Sequence, residues 1–414
     1  MKQRYDDFMS EYEDLGHMTQ INDDQINYQI AYYLPHHAVI REESTTTKLQ
    51  VVFDGSSKTS TGLSANDILL LVPTIQQDLF SIVLRFRQHR YVLTGEISKM
   101  YRQINIQEDQ RDLQRILWRP TPKQPALTYS LNTVTYGMAS SPFLAIRCLL
   151  QLAIENKFKN PTISRVIEQD FYVDDLLTCA SSMQELKEIK ENVTNVFQSG
   201  GFNLCRWITN EPSILNDHQE AQPALDLGEE VKALGLTWES NEDNLRYKVI
   251  PTETQKSSKR SILSTISQIF DPLGMVGPCT IQAKIILQKL WQINCGWDES
   301  LPNDIHTSCL KCQDQVKKII HIEIPKQVVC SEPVPIELHG FCDASELAYG
   351  ACIYLKSTNP KGDHTIRLLC AKSKVAPLKK VTLPRLELCS ALLLANMSNK
   401  VVNVLTLNIK KCYQ

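Results

Sequence analysis

The stretch VIEQDFYVDDLLTCA, residues 166–180, sets two adjacent carboxylates, Asp174 and Asp175, between two short apolar runs. Such runs around a polar pair predict a β-hairpin with the carboxylates at its bend. Neighbouring carboxylates repel each other, and withdrawing them from water costs several kcal/mol each unless a cation or donors compensate. The pair therefore points to metal chemistry. Two Mg²⁺ ions roughly 3.5–4 Å apart can activate an attacking oxygen and stabilise a leaving one in an in-line displacement at phosphorus. Mg²⁺ takes oxygen ligands and keeps waters for substrate phosphates, so two or three carboxylates suffice. A solvent-facing Asp-Asp turn is the alternative that the stretch alone leaves open.

Upstream, LTGEISKMYRQI (93–104) reads as a strand that reaches an acid, Glu96, and then turns helical. TTKLQVVFDGSS (46–57) is a strand entered through a basic residue and closed by turn formers, and TVTYGMASSPF (133–143) carries a glycine turn before a buried helix. Apolar residues at helical spacing in 66–90 predict a helix that begins at Pro73 and runs to about Gln88. Ser182 and Glu185 form a capping box; Leu186, Ile189, Val193, Val196 and Phe197 share a face, and Gly200 and Gly201 end that helix. Strands FNLCRWIT (202–209) and KALGLTW (232–238) follow, and residues 252–330 read as mostly helical. A Pro-rich connector at 324–335 precedes three strands (336–342, 349–355, 365–371) and a helix from Pro384 to about Val402. Residues 1–30, acidic and weakly periodic, read as a linker.

With 414 residues the chain has room for two or three domains at roughly 150 residues each. Hydrophobic residues at 43% and charged residues at 22% exclude a disordered chain. The longest apolar runs fall short of the roughly 18 residues that cross a bilayer. The polar, acidic start is unlike a secretory signal, so an intracellular, cytoplasmic chain with reduced cysteines is expected. The net charge of -2 hides an asymmetry: residues 1–24 hold two basic and seven acidic side chains, whereas 361–411 hold ten basic and two acidic. A basic terminal region fits either a polyanion partner or a solvated lysine-rich surface. His306, Cys309 and Cys312 have finger-like spacing without a second pair and read as ordinary side chains, with zinc as the alternative. His36 and His37 read as structural.

Taken in order, KLQVVFDGSSKTSTGLSANDILL, EISKMYRQI, LNTVTYGMASSPF, FYVDDLL, GFNLCRW, LGLTW and FDPLG resemble the reverse transcriptase and adjoining ribonuclease H region of BEL/Pao-type LTR retrotransposons, over nearly the whole chain. The resemblance implies an α+β right-hand polymerase: a linker (1–30), fingers and palm (31–250), and thumb and connection (251–330). An incomplete ribonuclease H-like α/β domain (331–414) would follow. It implies a two-metal Mg²⁺ site (or Mn²⁺) on Glu96, Asp174 and Asp175, and nucleotide contacts at Lys48, Gln50, Tyr101, Gly137, Pro142 and Tyr172. Tyr101 matches the ring that excludes a ribonucleotide 2′-hydroxyl. Arg206, Trp207, Leu234 and Gly235 match primer and template contacts, and Asp343 and Glu387 match two of four ribonuclease H metal ligands, too few for RNA cleavage. The implied partners are an RNA or DNA template-primer and deoxynucleoside triphosphates, with no membrane. Two positions depart from the family pattern: Glu96 stands where Asp is expected, and Gln50 where a basic residue should grip the triphosphate. These departures raise a second expectation, a decayed polymerase that only binds nucleic acid.

Overall fold

The computed structural model describes the chain except residues 23–30, 41–48, 71, 120, 122, 216–229, 234, 235 and 250–257. Contacts divide it into two compact units. One comprises Met1–Gln76, Ile97–Glu168 and Asn192–Cys205; the other comprises Gln77–Glu96, Gln169–Glu191 and Arg206–Gln414.

The first unit corrects the linker reading of residues 1–30 over its described part, 1–22. Lys2–Asp14 is a helix, and Met18–Ile21 is a strand paired antiparallel with Leu127–Leu131, which pairs in turn with Arg115–Trp118. Phe8, Met9 and Tyr12, spaced i, i+1 and i+4, enter a core with Val51, Phe53, Ile116 and Leu131. The Arg102 guanidinium lies 4.8 Å from the Phe8 ring centre and 4.6 Å from that of Tyr12, and Lys99 pairs with Glu11. His36–Ile40 and Leu49–Phe53 form a separate antiparallel ladder. His36 stacks on Tyr5 and donates from Nε2 to the Leu117 carbonyl at 3.0 Å, the structural role expected of it.

The second unit is built on three sheets. The first orders its strands Phe171–Tyr172, Asp175–Ala180, Tyr91–Ile97 and Leu204–Thr209. Behind it Ile82, Phe86, Val92, Leu177, Trp238 and Leu245 form a core, in which Phe86 and Trp238 meet edge to face at 5.5 Å. The second sheet contains Leu236–Glu239 and Asn244–Arg246, and the third orders His364–Val375, Ala348–Thr358, Ile336–Ala344 and Ile409–Tyr413, the last pair parallel. Helix Leu383–Val404 covers the third sheet through Leu393, Leu394, Met397 and Val401. Close approach is possible because Gly340 has no side chain: a Cβ there would come within 2.7 Å of Leu394. Helices Lys259–Ser267, Gly277–Gln292 and Asn303–Lys318 share another core. Cys309 and Cys312 lie buried in it while His306 faces solvent, so the three do not meet.

The helix expected from Pro73 begins instead at Leu79, because Asp78 accepts the Ser81 amide at 3.1 Å. Before helix Met183–Ser199 the capping box is shared: the Glu185 amide donates to Ser182 Oγ at 3.2 Å, but the Glu185 carboxylate reaches back to the Ser181 amide at 2.9 Å. Among the described residues no helix is long and apolar enough to cross a membrane.

Candidate active site

The hairpin expected at 171–180 forms with a two-residue bend, Val173–Asp174, between paired Tyr172 and Asp175. Val173 has φ +56°, a conformation that costs a β-branched residue energy and so must be imposed by its surroundings. Arg85, almost fully buried, supplies part of that hold. Its Nε donates to Asp170 Oδ1 at 2.9 Å, Asp170 Oδ2 accepts the Thr178 hydroxyl at 2.8 Å, and the Leu177 amide donates to the Asp170 carbonyl at 2.9 Å.

The next strand, Tyr91–Ile97, runs antiparallel to Asp175–Ala180 with Glu96 directly opposite Asp175. Non-adjacent stretches of sequence thus bring Glu96, Asp174 and Asp175 to one end of one sheet. Burial is the main cause that raises both aspartate pKa values. For Asp174, Glu96 adds to it. Asp175 is pushed up to about 7 by burial, by Asp174 and by Glu96, while Arg206 opposes both shifts. Beyond Glu96, Arg206 on strand Leu204–Thr209 pairs its Nη1 with Glu96 Oε2. Trp207 packs on Gly95, where a Cβ would meet the indole at 2.8 Å.

The donor set suits a hard divalent cation, but convergence is lacking. Among the described residues no three His, Cys, Asp or Glu side chains are grouped to hold a metal. Asp343, opposite Gly350, and Glu387, in the first turns of helix Leu383–Val404, are both exposed.

The remaining candidate residues fall in three places. Tyr172 sits in the hairpin beside Asp175. In the first unit, Gln50 lies opposite Val39 and shares a side-chain hydrogen bond with Tyr136, Tyr101 sits half-buried in the turn Met100–Gln103, and Pro142 opens helix Ser141–Asn156. Lys48, Leu234 and Gly235 lie outside the described residues; Trp238, next to the last two, is a core residue.

Gly137 has φ +98°, and a Cβ there would stand 2.1 Å from the Phe53 carbonyl oxygen. Both the dihedral and the clash forbid a side chain, so Gly137→Ala is expected to destabilise the first unit by about 3 kcal/mol. Urea unfolding tests this, and a loss below about 1 kcal/mol would refute it.

The Asp175 shift has a signed consequence. An acid whose pKa rises on folding binds its proton more tightly in the folded state, so stability falls as pH climbs from the unfolded value near 3.8 towards about 7, and is level above. The full displacement corresponds to roughly 4 kcal/mol, which partial exposure screens to about 2. Asp175→Asn is therefore expected to stabilise the metal-free protein by about 2 kcal/mol at pH 8 and by little at pH 4. Thermal melts in EDTA at the two pH values check it; equal gains at both would contradict the assignment.

Residues 258–414 match a family described as Pao retrotransposon-like RNaseH-like domain. No curated protein matches the chain. Among solved structures, the foamy viral protease-reverse transcriptase dRH in complex with double-stranded DNA superposes with a TM-score of 0.58 at 14% identity, covering 95% of this chain and 59% of that one. The foamy viral protease-reverse transcriptase in complex with an RNA/DNA hybrid gives 0.56 at 13%, covering 95% and 45%. The chain thus spans about half the length of those proteins. At such identity the likeness is one of fold: mixed helix and sheet resembling a retroviral reverse transcriptase, with an RNaseH-like domain. Residues 258–414 thus resemble the RNaseH-like domain of Pao-type retrotransposons, and the fold of the chain resembles that of a retroviral reverse transcriptase.

Proposed function

We propose that the chain is the RNA- or DNA-directed DNA polymerase of its element, extending a primer 3′-hydroxyl with deoxynucleoside triphosphates. In this reading residues 31–250 are fingers and palm, 251–330 thumb and connection, and 331–414 a ribonuclease H-like domain. The observation that carries it is the meeting of Glu96, Asp174 and Asp175 at one sheet end, Glu96 directly opposite Asp175 in register. Carboxylates brought to one sheet end are of use chiefly to a cation and the phosphates it brings. Divalent Mg²⁺ or Mn²⁺ supplies charge neutralisation at the transferring phosphorus when bound. The protein's own part is positional. The strained Val173–Asp174 bend presents the aspartates, Tyr101 acts as a shape filter against a 2′-hydroxyl, and Gly137 lets backbone approach the nucleotide. The foamy viral relatives were solved with duplex DNA and an RNA/DNA hybrid, the ligand class proposed here. The proposed setting is intracellular, where the free cysteines stay reduced.

A second reading, a nucleic-acid-binding relic, is favoured by the engagement of Glu96 with Arg206 and by the uncharged Gln50. Mg²⁺-dependent extension of a DNA primer on an RNA template separates the two, with Asp174→Asn as the blank. Incorporation above the blank is the expected result for a polymerase. Activity equal to the blank would leave the relic.

A further inference from the structure

The first unit carries an open cleft of about 460 Å³, lined by none of the residues given a part in polymerisation. Three separate stretches supply most of its wall: residues 15–17 at the end of helix Lys2–Asp14, residues 98–105 and residues 201–203. Hydrogen bonds fix them. The His17 amide donates to the Tyr12 carbonyl at 2.9 Å, the Asn132 amide to the His17 carbonyl at 2.8 Å, the Ser98 amide to the Asn203 carbonyl at 2.8 Å, and the Asn203 amide to Gln103 Oε1 at 3.0 Å. Lys99 turns the chain with φ +48°, uncommon for a residue other than glycine. Two permanent cations line this cleft. Arg102, its side chain 12% exposed, is held over the Phe8 and Tyr12 rings, whereas the Lys99 side chain is 50% exposed. Glu11 pairs with Lys99 and stands 3.6 Å from Arg102, so one carboxylate meets two cations and the balance stays positive. That field reaches His17, whose pKa is lowered by burial and then by Arg102 and Lys99, against Glu11.

We propose that this cleft binds phosphate groups, with Lys99 and Arg102 as the cations that hold the anion and His17, Ser98 and Asn203 as neutral partners for its remaining oxygens. The lining selects this ligand. A guanidinium offers phosphate a planar fork and an ammonium a compact charge. Imidazole, hydroxyl and amide groups add hydrogen bonds around them. A metal ion would be repelled by the two cations, and an apolar ligand would leave these polar groups unpaired. The volume lies within the roughly 300–1,000 Å³ of small-molecule sites, more than an isolated ion needs and enough for a chain of phosphates. Glu11 is the competitor: Lys99 leaves it to meet the phosphate, so neutralising that carboxylate should tighten binding. The phosphates are those of a free nucleotide or of a nucleic-acid strand, which share this chemistry. The inference goes beyond the polymerase reading and does not rest on it.

Titration calorimetry of the full chain with inorganic triphosphate, in EDTA at low salt, tests this. EDTA excludes phosphate held through a metal, so the result is independent of whether primer extension succeeds. Lys99→Gln is expected to weaken triphosphate binding about tenfold, Lys99→Arg by less than about threefold, and Glu11→Gln to tighten it about threefold. Lys99 is half-exposed, and thermal melts of Lys99→Gln check that the variant is folded. Lys159→Gln removes the same charge from an exposed position that does not line the cleft and should change affinity less than about twofold, which separates the cleft from the general field. Two further titrants distinguish the sources. A Lys99-dependent preference for dATP over a single-stranded oligonucleotide assigns the cleft to a free nucleotide, and the reverse preference, equally dependent on Lys99, assigns it to a strand; either supports the proposal. Absence of binding by all three titrants up to about 1 mM, unchanged binding in folded Lys99→Gln, or an equal loss in Lys159→Gln would overturn it.

Discussion

Arg87→Ala is expected to destabilise the second unit by about 5 kcal/mol, the largest loss for any single substitution considered. The Arg87 side chain is fully buried at the end of helix Leu79–Phe86. Its Nε donates to the Lys326 carbonyl at 3.1 Å, Nη1 to the Leu369 carbonyl at 2.7 Å and Nη2 to the Pro325 carbonyl at 3.1 Å. One planar fork thus ties the helix to strand Ile324–Pro325 and to the central part of His364–Val375. Burial lowers the guanidinium pKa to about 10, still far enough above neutrality to keep it charged. Alanine would leave three carbonyls without these donors and a void in place of a fully buried side chain, both costly in a packed interior. Arg87→Lys tests the geometry separately: an ammonium keeps the charge, but it cannot span three carbonyls as a planar fork does, so about half the loss should remain. Pulse proteolysis in urea measures both variants. A loss below about 2 kcal/mol for alanine would mean that the carbonyls find other partners.

That role was hidden in the sequence, where Arg87 sits in the basic string RFRQHR and looks like a solvated charge. Local signals were better read. Asp174 and Asp175 between apolar runs gave the hairpin, and alternation after residue 335 gave the strands of the third sheet, although Ala348–Thr358 and His364–Val375 extend further than expected. The N-terminal helix was missed because Tyr5, Phe8, Met9 and Tyr12 do keep helical spacing, but acidic residues between them made the segment read as a linker. The helix start at Leu79 was misplaced because Pro73 outweighed the Asp78 and Ser81 cap, a hydrogen bond that satisfies an otherwise orphaned amide. At the candidate site the aspartates are adjacent in sequence, whereas the Glu96–Arg206 pair spans 110 positions and exists only because strand order places the two strands side by side. Pairings of that separation depend on topology, which local patterns do not encode.

Glu96→Asp combined with Gln50→Arg is expected to raise primer extension by about a thousandfold in kcat/KM, some 4 kcal/mol of transition-state stabilisation. The two substitutions act on different quantities. Shortening Glu96 by one methylene draws the carboxylate back from Arg206 and onto the strand position facing Asp175. Octahedral Mg²⁺ with bonds of roughly 2.0–2.1 Å tolerates little misplacement, so most of the gain, about a hundredfold, should come from this change and appear in kcat. Gln50 shares a hydrogen bond with Tyr136 on a strand edge, and arginine there would add a charge able to meet a triphosphate. A charge-assisted contact of that kind is worth about tenfold and should appear in KM for the nucleotide. Steady-state kinetics of both single variants and the double resolves the split. If Glu96→Asp alters only KM, Glu96 is a binding residue and the carboxylates do not act together on the reacting phosphorus. If the double variant stays at the Asp174→Asn blank, neither departure from the family pattern explains a lack of polymerase activity, and the nucleic-acid-binding reading stands on its own.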